Sequence, residues 1–300
     1  MKSKAYTINT LDLNFQGIPR MIAAYLVEGP TGNALIETGP GSTLPELLSA
    51  LEKRGLSPTD IDAVLVTHIH FDHAGAAGWW AQEGIPVYVH HFGARHLIHP
   101  EKLIASASRI YGELMDSLWG AILPAPEDKI IPVMDSDTIE AAGLTFTARE
   151  TPGHARHHHV YELDDIAFTG DAAGIRLPHT GLADIPTPPP EFDREQWQDT
   201  LAFLMGRNYR SIYPTHFGEC PDVARQLKTA EQLLGLFTSF IEKEMADLDR
   251  DKLVTRFTEW NHERGREMGL SAAVLQEHDL VNPPYMTVDG ILRYWHKRQR

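Results

Sequence analysis

The apolar run Ile61-Asp62-Ala63-Val64-Leu65-Val66 leads directly into Thr67-His68-Ile69-His70-Phe71-Asp72-His73-Ala74-Gly75. The first part is short and rich in β-branched residues, which reads as a buried strand. The second packs three histidines and an aspartate into six positions. Histidine fills about one position in twenty, 16 of 300, so this pattern has a random probability of roughly one in a hundred thousand per window. Chance explains it poorly. Imidazole and carboxylate groups suit zinc, iron, nickel or manganese rather than calcium or copper(I), so the spacing predicts a metal site at the carboxyl end of a core strand.

Three later segments repeat that design, with an apolar strand, turn residues and then a ligand. Leu144 to Glu150 leads to Thr151-Pro152-Gly153-His154, Ile166 to Thr169 to Gly170-Asp171, and Ser211 to Tyr213 to Pro214-Thr215-His216. Strands of one sheet ending at one edge would bring these groups together. Seven candidate ligands exceed the four or so that one zinc accepts, so two ions are the natural count. His68 and His70, two positions apart, can point the same way from extended chain. Asp72 and His73, past the turn, can face a second ion, and the two oxygens of Asp171 could bridge both.

In this order, His68-x-His70-x-Asp72-His73, His154, Asp171 and His216 resemble the metallo-β-lactamase superfamily of hydrolases, over roughly residues 5 to 220. The resemblance implies an αββα four-layer sandwich, an α/β fold of two mixed sheets faced by helices, with the metals at one edge. It implies two divalent ions, zinc first and iron or manganese as alternatives. His68, His70 and His154 would hold one ion, Asp72, His73 and His216 the other, with Asp171 between. The nearest likeness is to glyoxalase II and lactonase relatives carrying THIHxDHAGAAG and TPGHAxHH patterns.

Two such ions lower the pKa of a bridging water and produce hydroxide near neutral pH. Asp72 is the expected catalytic acid–base, holding that nucleophile and carrying a proton to the leaving group. The expected substrate is a small ester, lactone or thioester. Lactonases of the superfamily usually have tyrosine three residues after the bridging aspartate, where this chain has Gly174; Tyr213 and Tyr111 are the spatial substitutes to test. Arg156, Arg176 and Arg225 are available for an acidic thioester but form no signature. The main alternative is a persulfide dioxygenase-like oxidoreductase, with one iron on His68, His154 and Asp171. A non-catalytic metal-dependent binding module is the third reading.

Glu37, in Glu37-Thr38-Gly39-Pro40-Gly41, stands where the superfamily more often has aspartate, and a supporting role beneath the site is expected. His157, His158 and His159 read as packing or orienting groups, with at most one or two able to approach the metals. His90, His91, His96, His99 and His179 read as surface or structural.

The remaining chain is read as strands near residues 6–15, 21–28 and 33–37, a helix over 42–54 capped by Ser42 or Thr43, and a strand at 86–89. A helical insertion follows at about 94–122, then strands from 129 to 168. An irregular proline-rich loop is expected over 177–192, and a helix over 194–205. The expected division is a catalytic domain over 1–220 and a mostly helical extension over 221–300. The extension is open to packing on the core, capping the pocket or forming a homodimer seam. Tyr111, Met115, Leu118 and Trp119, at helical spacing, read first as core packing and second as a pocket wall.

Charged residues sum to 27 − 41 = −14, which argues against nucleic acid as partner and leaves a small molecule. The single cysteine, Cys220, excludes an intrachain disulfide. The amino terminus lacks the apolar core of a signal peptide and no run reaches membrane-span length, so no membrane partner and a cytoplasmic location are expected.

Overall fold

The computed structural model describes residues 5–298. The first four residues, where the signal-peptide reading begins, and the last two of the terminal basic run lie outside the described residues. The chain divides into two compact units. The first comprises residues 1–150, 157–170 and 209–219, and the second 151–156, 171–208 and 220–300.

Two sheets form the first unit. One contains β1 (Thr7–Asp12), β2 (Ala23–Glu28), β3 (Asn33–Ile36), β4 (Ile61–Leu65), β5 (Val87–His90) and β6 (Ile130–Val133), in that spatial order. It is antiparallel from β1 to β3 and parallel from β3 to β6. Along the chain follow β7 (Thr138–Ala141), β8 (Leu144–Glu150), β9 (His159–Leu163) and β10 (Ile166–Gly170), then β11 (Ile175–Arg176), β12 (Ala183–Asp184) and β13 (Ser211–Pro214). The second sheet has the order β13-β10-β9-β8-β7, with β13 parallel to β10 and the rest antiparallel. Both sheets are mixed, as expected.

The sheets face each other through aromatic side chains. Tyr25 of β2 lies 5.5 Å from the Phe168 ring and 5.4 Å from the Tyr213 ring. Strands buried on both faces need continuous apolar runs, and β9, β10 and β13 are buried at every position. The helices are α1 (Leu44–Glu52), α2 (Phe71–Ala74), α3 (Ala77–Gln82), α4 (His91–Ile98), α5 (Glu101–Tyr111) and α6 (Met115–Trp119). Of these, α3 packs on β5, and α4 on β5 and β6. The predicted insertion is therefore three helices beginning at His91, broken at Pro100 and again at Gly112. Thr43 does occupy the cap position of α1, but its hydroxyl donates to Pro40 O, and Ser42 donates to Leu118 O.

The second unit holds α7 (Arg194–Met205), α8 (Val223–Glu244), α9 (Arg250–Glu267), α10 (Ala272–Val281) and α11 (Pro284–Arg298). Aspartates at 193, 222 and 249 accept backbone N–H groups in the first turns of α7, α8 and α9, the ordinary chemistry of an N-cap. Leu227, Leu234, Phe237 and Ile241 are fully buried along one stripe of α8, and Phe237 meets Phe257 of α9 edge-on at 5.1 Å. The tail's apolar faces thus pack on one another. The proline-rich segment corrects the loop expectation: β12 within it pairs with β11, and Ile185, Pro186 and Thr187 are buried. Among the described residues no helix is long and apolar enough to cross a membrane.

Candidate metal centre

The first unit brings His68, His70, Asp72, His73 and His216 together. β4 ends at Leu65, the chain bends at Thr67 and again at His70, and α2 then begins inside the motif at Phe71. The sequence pattern gives no sign of that helical turn. It is held from outside, because Thr38 and Gly39 both donate their N–H groups to His73 O. His68 Nε2 and His70 Nδ1 lie 2.9 Å apart. Asp72 Oδ2 lies 3.5 Å from His73 Nε2 and 3.3 Å from His216 Nε2. The edges of a zinc tetrahedron with such ligands are about 3.3 Å, so one ion fits this spacing.

Ring protonation supports that fit. His73 Nδ1 faces Glu37 Oε1 at 3.0 Å, and His216 Nδ1 faces Met21 O at 2.7 Å. Both acceptors lack hydrogens, so each Nδ1 carries the proton and each Nε2 presents a lone pair. At His68 the partner is Thr67 Oγ1, 3.1 Å away. The Thr67 hydroxyl proton goes to Glu37 at 2.5 Å, so Thr67 accepts from His68 Nδ1 and the His68 Nε2 lone pair is likewise presented.

Glu37 organises this unit from beneath. Its carboxylate accepts from the Thr67 N–H and hydroxyl, His73 Nδ1 and the Thr215 hydroxyl. It is fully buried and adopts a left-handed backbone, φ 64°. The expected support role is therefore what the geometry shows. Thr67 and Thr215, each one residue ahead of a candidate ligand, were missed; their signal was the shared Thr-His pairing at 67–68 and 215–216. Gly170 also matters, since a Cβ there would stand 2.4 Å from Thr67 Oγ1 and 2.7 Å from His158 Nε2.

The three consecutive histidines do not alternate, because β9 begins only at His159, yet two of the three approach the motif, within the expected number. His157 and His158 lie near His68, with ring centroids at 6.1 and 4.9 Å, while the His159 ring tilts against His90 at 4.4 Å. His90 caps α4 through Nδ1, which accepts from Phe92 N. Trp119 stacks on Phe15 and tilts against Phe71, next to Asp72 in sequence, so Trp119 packs in the core beside the motif, while Tyr111 and Leu118 stay half-buried.

The second unit brings His154 and Asp171 together, His154 Nε2 lying 3.3 Å from Asp171 Oδ2. His154 Nδ1 donates to Pro186 O at 2.8 Å, so its Nε2 too presents a lone pair. Trp197 of α7 braces both loops: it meets the His154 ring edge-on at 5.6 Å and donates Nε1–H to Ala172 O at 2.9 Å. Thr200, one turn on, donates to Pro152 O. Gly153, φ 130°, is needed because a Cβ there would stand 2.4 Å from the Trp197 backbone. Gly174 cannot be replaced by the lactonase tyrosine without movement: its φ is 74°, and a Cβ would meet Asp184 O at 2.8 Å. The Tyr213 ring packs between Tyr25 and Phe168. Cys220 is buried, as expected of a structural thiol.

A sequence profile of the metallo-beta-lactamase superfamily matches residues 17–216. The chain belongs to that superfamily. It is 29% identical over 187 residues to a metallo-beta-lactamase fold-containing protein of Sulfurisphaera tokodaii, covering 61% of this chain and 67% of that one. It is 31% identical over 179 residues to a hydroxyacylglutathione hydrolase of Xanthomonas campestris pv. campestris, covering 58% of this chain but only 53% of that enzyme. Its fold is that of a metallo-beta-lactamase family protein from Thermus thermophilus (TM-score 0.68, 20% identity, 98% of this chain and 94% of that one).

Proposed function

We propose that this protein is a dinuclear metal-dependent hydrolase acting on a small ester, lactone or thioester. The observation that carries this reading is the grouping of Asp72, His73 and His216, whose ligand atoms lie within 4.8 Å of one another, with both imidazole Nδ1 protons held by acceptors. These residues would hold one ion, and His68, His70 and His154 the other, with Asp171 shared. When bound, two divalent ions supply a water pKa near neutrality and polarisation of a carbonyl oxygen.

The chain's own residues do the rest. Asp72 keeps a fifth of its side chain exposed while its partners are buried, so it is the carboxylate able to hold a proton at Oδ2 and pass it to a leaving group. Glu37, Met21 O, Thr67 and Pro186 O fix the imidazole tautomers and exclude rotation. An oxygenase with one iron on His68, His154 and Asp171 would leave the Asp72, His73 and His216 grouping without a task.

The test is hydrolysis of a panel of esters, lactones and thioesters by metal-loaded protein and by His73→Ala and Asp171→Ala. Loss of both metal and turnover is expected in each variant. Full turnover in either contradicts the reading.

A further inference from the structure

The second unit contains a pocket of about 410 Å³, within the size range of small-molecule sites. Three arginines from three elements line it, Arg176 of β11, Arg225 of α8 and Arg264 of α9, together with Gln226 and one carboxylate, Asp222. That carboxylate is engaged as the cap of α8, its Oδ1 accepting from Arg225 N. The lining therefore carries more positive than negative charge, in a chain whose total is strongly negative.

Two features show a built pocket. Arg264 is pinned: its guanidinium lies 5.2 Å from the Phe237 ring centroid and 5.6 Å from that of Trp260, and Nη1 donates to Asn261 Oδ1. Burial pushes its pKa below the ordinary value, with the Asp184 charge opposing that shift. Arg225 is exposed, and its guanidinium makes no hydrogen bond or ion pair among the described residues. An arginine fork matches the planar or tetrahedral oxyanion of a carboxylate or phosphate.

The pocket also follows directly on a proposed ligand. Gln226 Nε2 donates to Ala173 O at 2.8 Å, in the turn that Gly174 N closes onto Asp171 O. Arg176 stands five residues after Asp171, at most about 17 Å along the chain. We propose that this pocket seats an oxyanion carried by the substrate, so that the hydrolase acts on anionic acyl compounds rather than neutral ones. The proposal rests on the hydrolase reading for its turnover but not for its binding.

The test titrates metal-loaded full-length protein calorimetrically with glutarate and, separately, with inorganic phosphate, for the wild type, Arg225→Gln and Arg176→Gln. At least one probe is expected to bind, with Kd weakened about tenfold or more in each variant; the tighter probe names the oxyanion. No binding, or a Kd in both variants unchanged from the wild type, overturns the pocket. In turnover, the ratio of kcat/KM for a glutaryl over a pentanoyl thioester is expected to fall about tenfold in Arg225→Gln, and an unchanged ratio overturns the substrate assignment. Arginine-dependent binding without turnover of any substrate would leave the pocket standing and remove the hydrolase reading instead.

Discussion

Glu37 Oε1 lies 3.0 Å from Nδ1 of His73, and both side chains are withdrawn from solvent. The same carboxylate ties Thr67 and Thr215, so one residue sets a proposed ligand directly and braces the residues ahead of two more. Glu37→Ala leaves those donors buried without an acceptor, each worth about 1–3 kcal/mol. We expect a stability loss of at least about 3 kcal/mol and metal affinity lower by about 10–100-fold. Chelator competition and urea unfolding measure both; unchanged metal affinity would contradict the role.

Gly170 should tolerate no side chain. Its φ is 50°, and a Cβ would press on Thr67 Oγ1. Gly55, φ 74°, has nothing within 4 Å of its Cβ position, so Gly55→Ala meets backbone strain alone, on the order of 1–3 kcal/mol. Gly170→Ala is expected to be more destabilising than Gly55→Ala by about 2 kcal/mol, read from paired denaturation curves. Equal losses would mean that contact with Thr67 is immaterial.

Trp197→Phe keeps an aromatic ring beside His154 but removes the donor to Ala172 O. We expect about 1–2 kcal/mol less stability and weaker metal retention at the His154–Asp171 end, seen by dialysis against graded chelator. Wild-type retention would show that Trp197 only fills space.

Burial pushes the His159 imidazole down to about 4, the opposing pull of Asp135 and Asp137 being smaller. Its folded value lies below the unfolded one near 6.5, so the folded state binds fewer protons. Its stability contribution is present above about pH 6.5 and lost as pH falls towards 4, on the order of 3 kcal/mol. Unfolding measured across that window should show a shallower acid loss in His159→Phe than in the wild type. Parallel profiles would contradict this.

The parts legible in the sequence were those written locally. His68 to His73 announce themselves by spacing, and the helix expected over 194–205 is present as α7, held at its start by Asp193. What stayed hidden depends on distant chain. Pro186 O orients His154 across 32 residues, and the short pairing of β11 with β12 is too brief to give a strand pattern in a proline-rich run. Arg176, Arg225 and Arg264 form no motif because they meet only after β11, α8 and α9 have folded. The helical start at Phe71 was obscured because the turn is only four residues long, Phe71–Ala74, and is held by Thr38 and Gly39 from elsewhere in the chain.

The central claim is two metals on seven side chains, and metal content tests it most directly. Protein purified without added metal or chelator should carry close to two divalent ions per chain, with Asp72→Ala, His73→Ala and His216→Ala each lowering that content. A single iron, left in place by all three substitutions, would contradict the dinuclear hydrolase and restore the oxygenase reading.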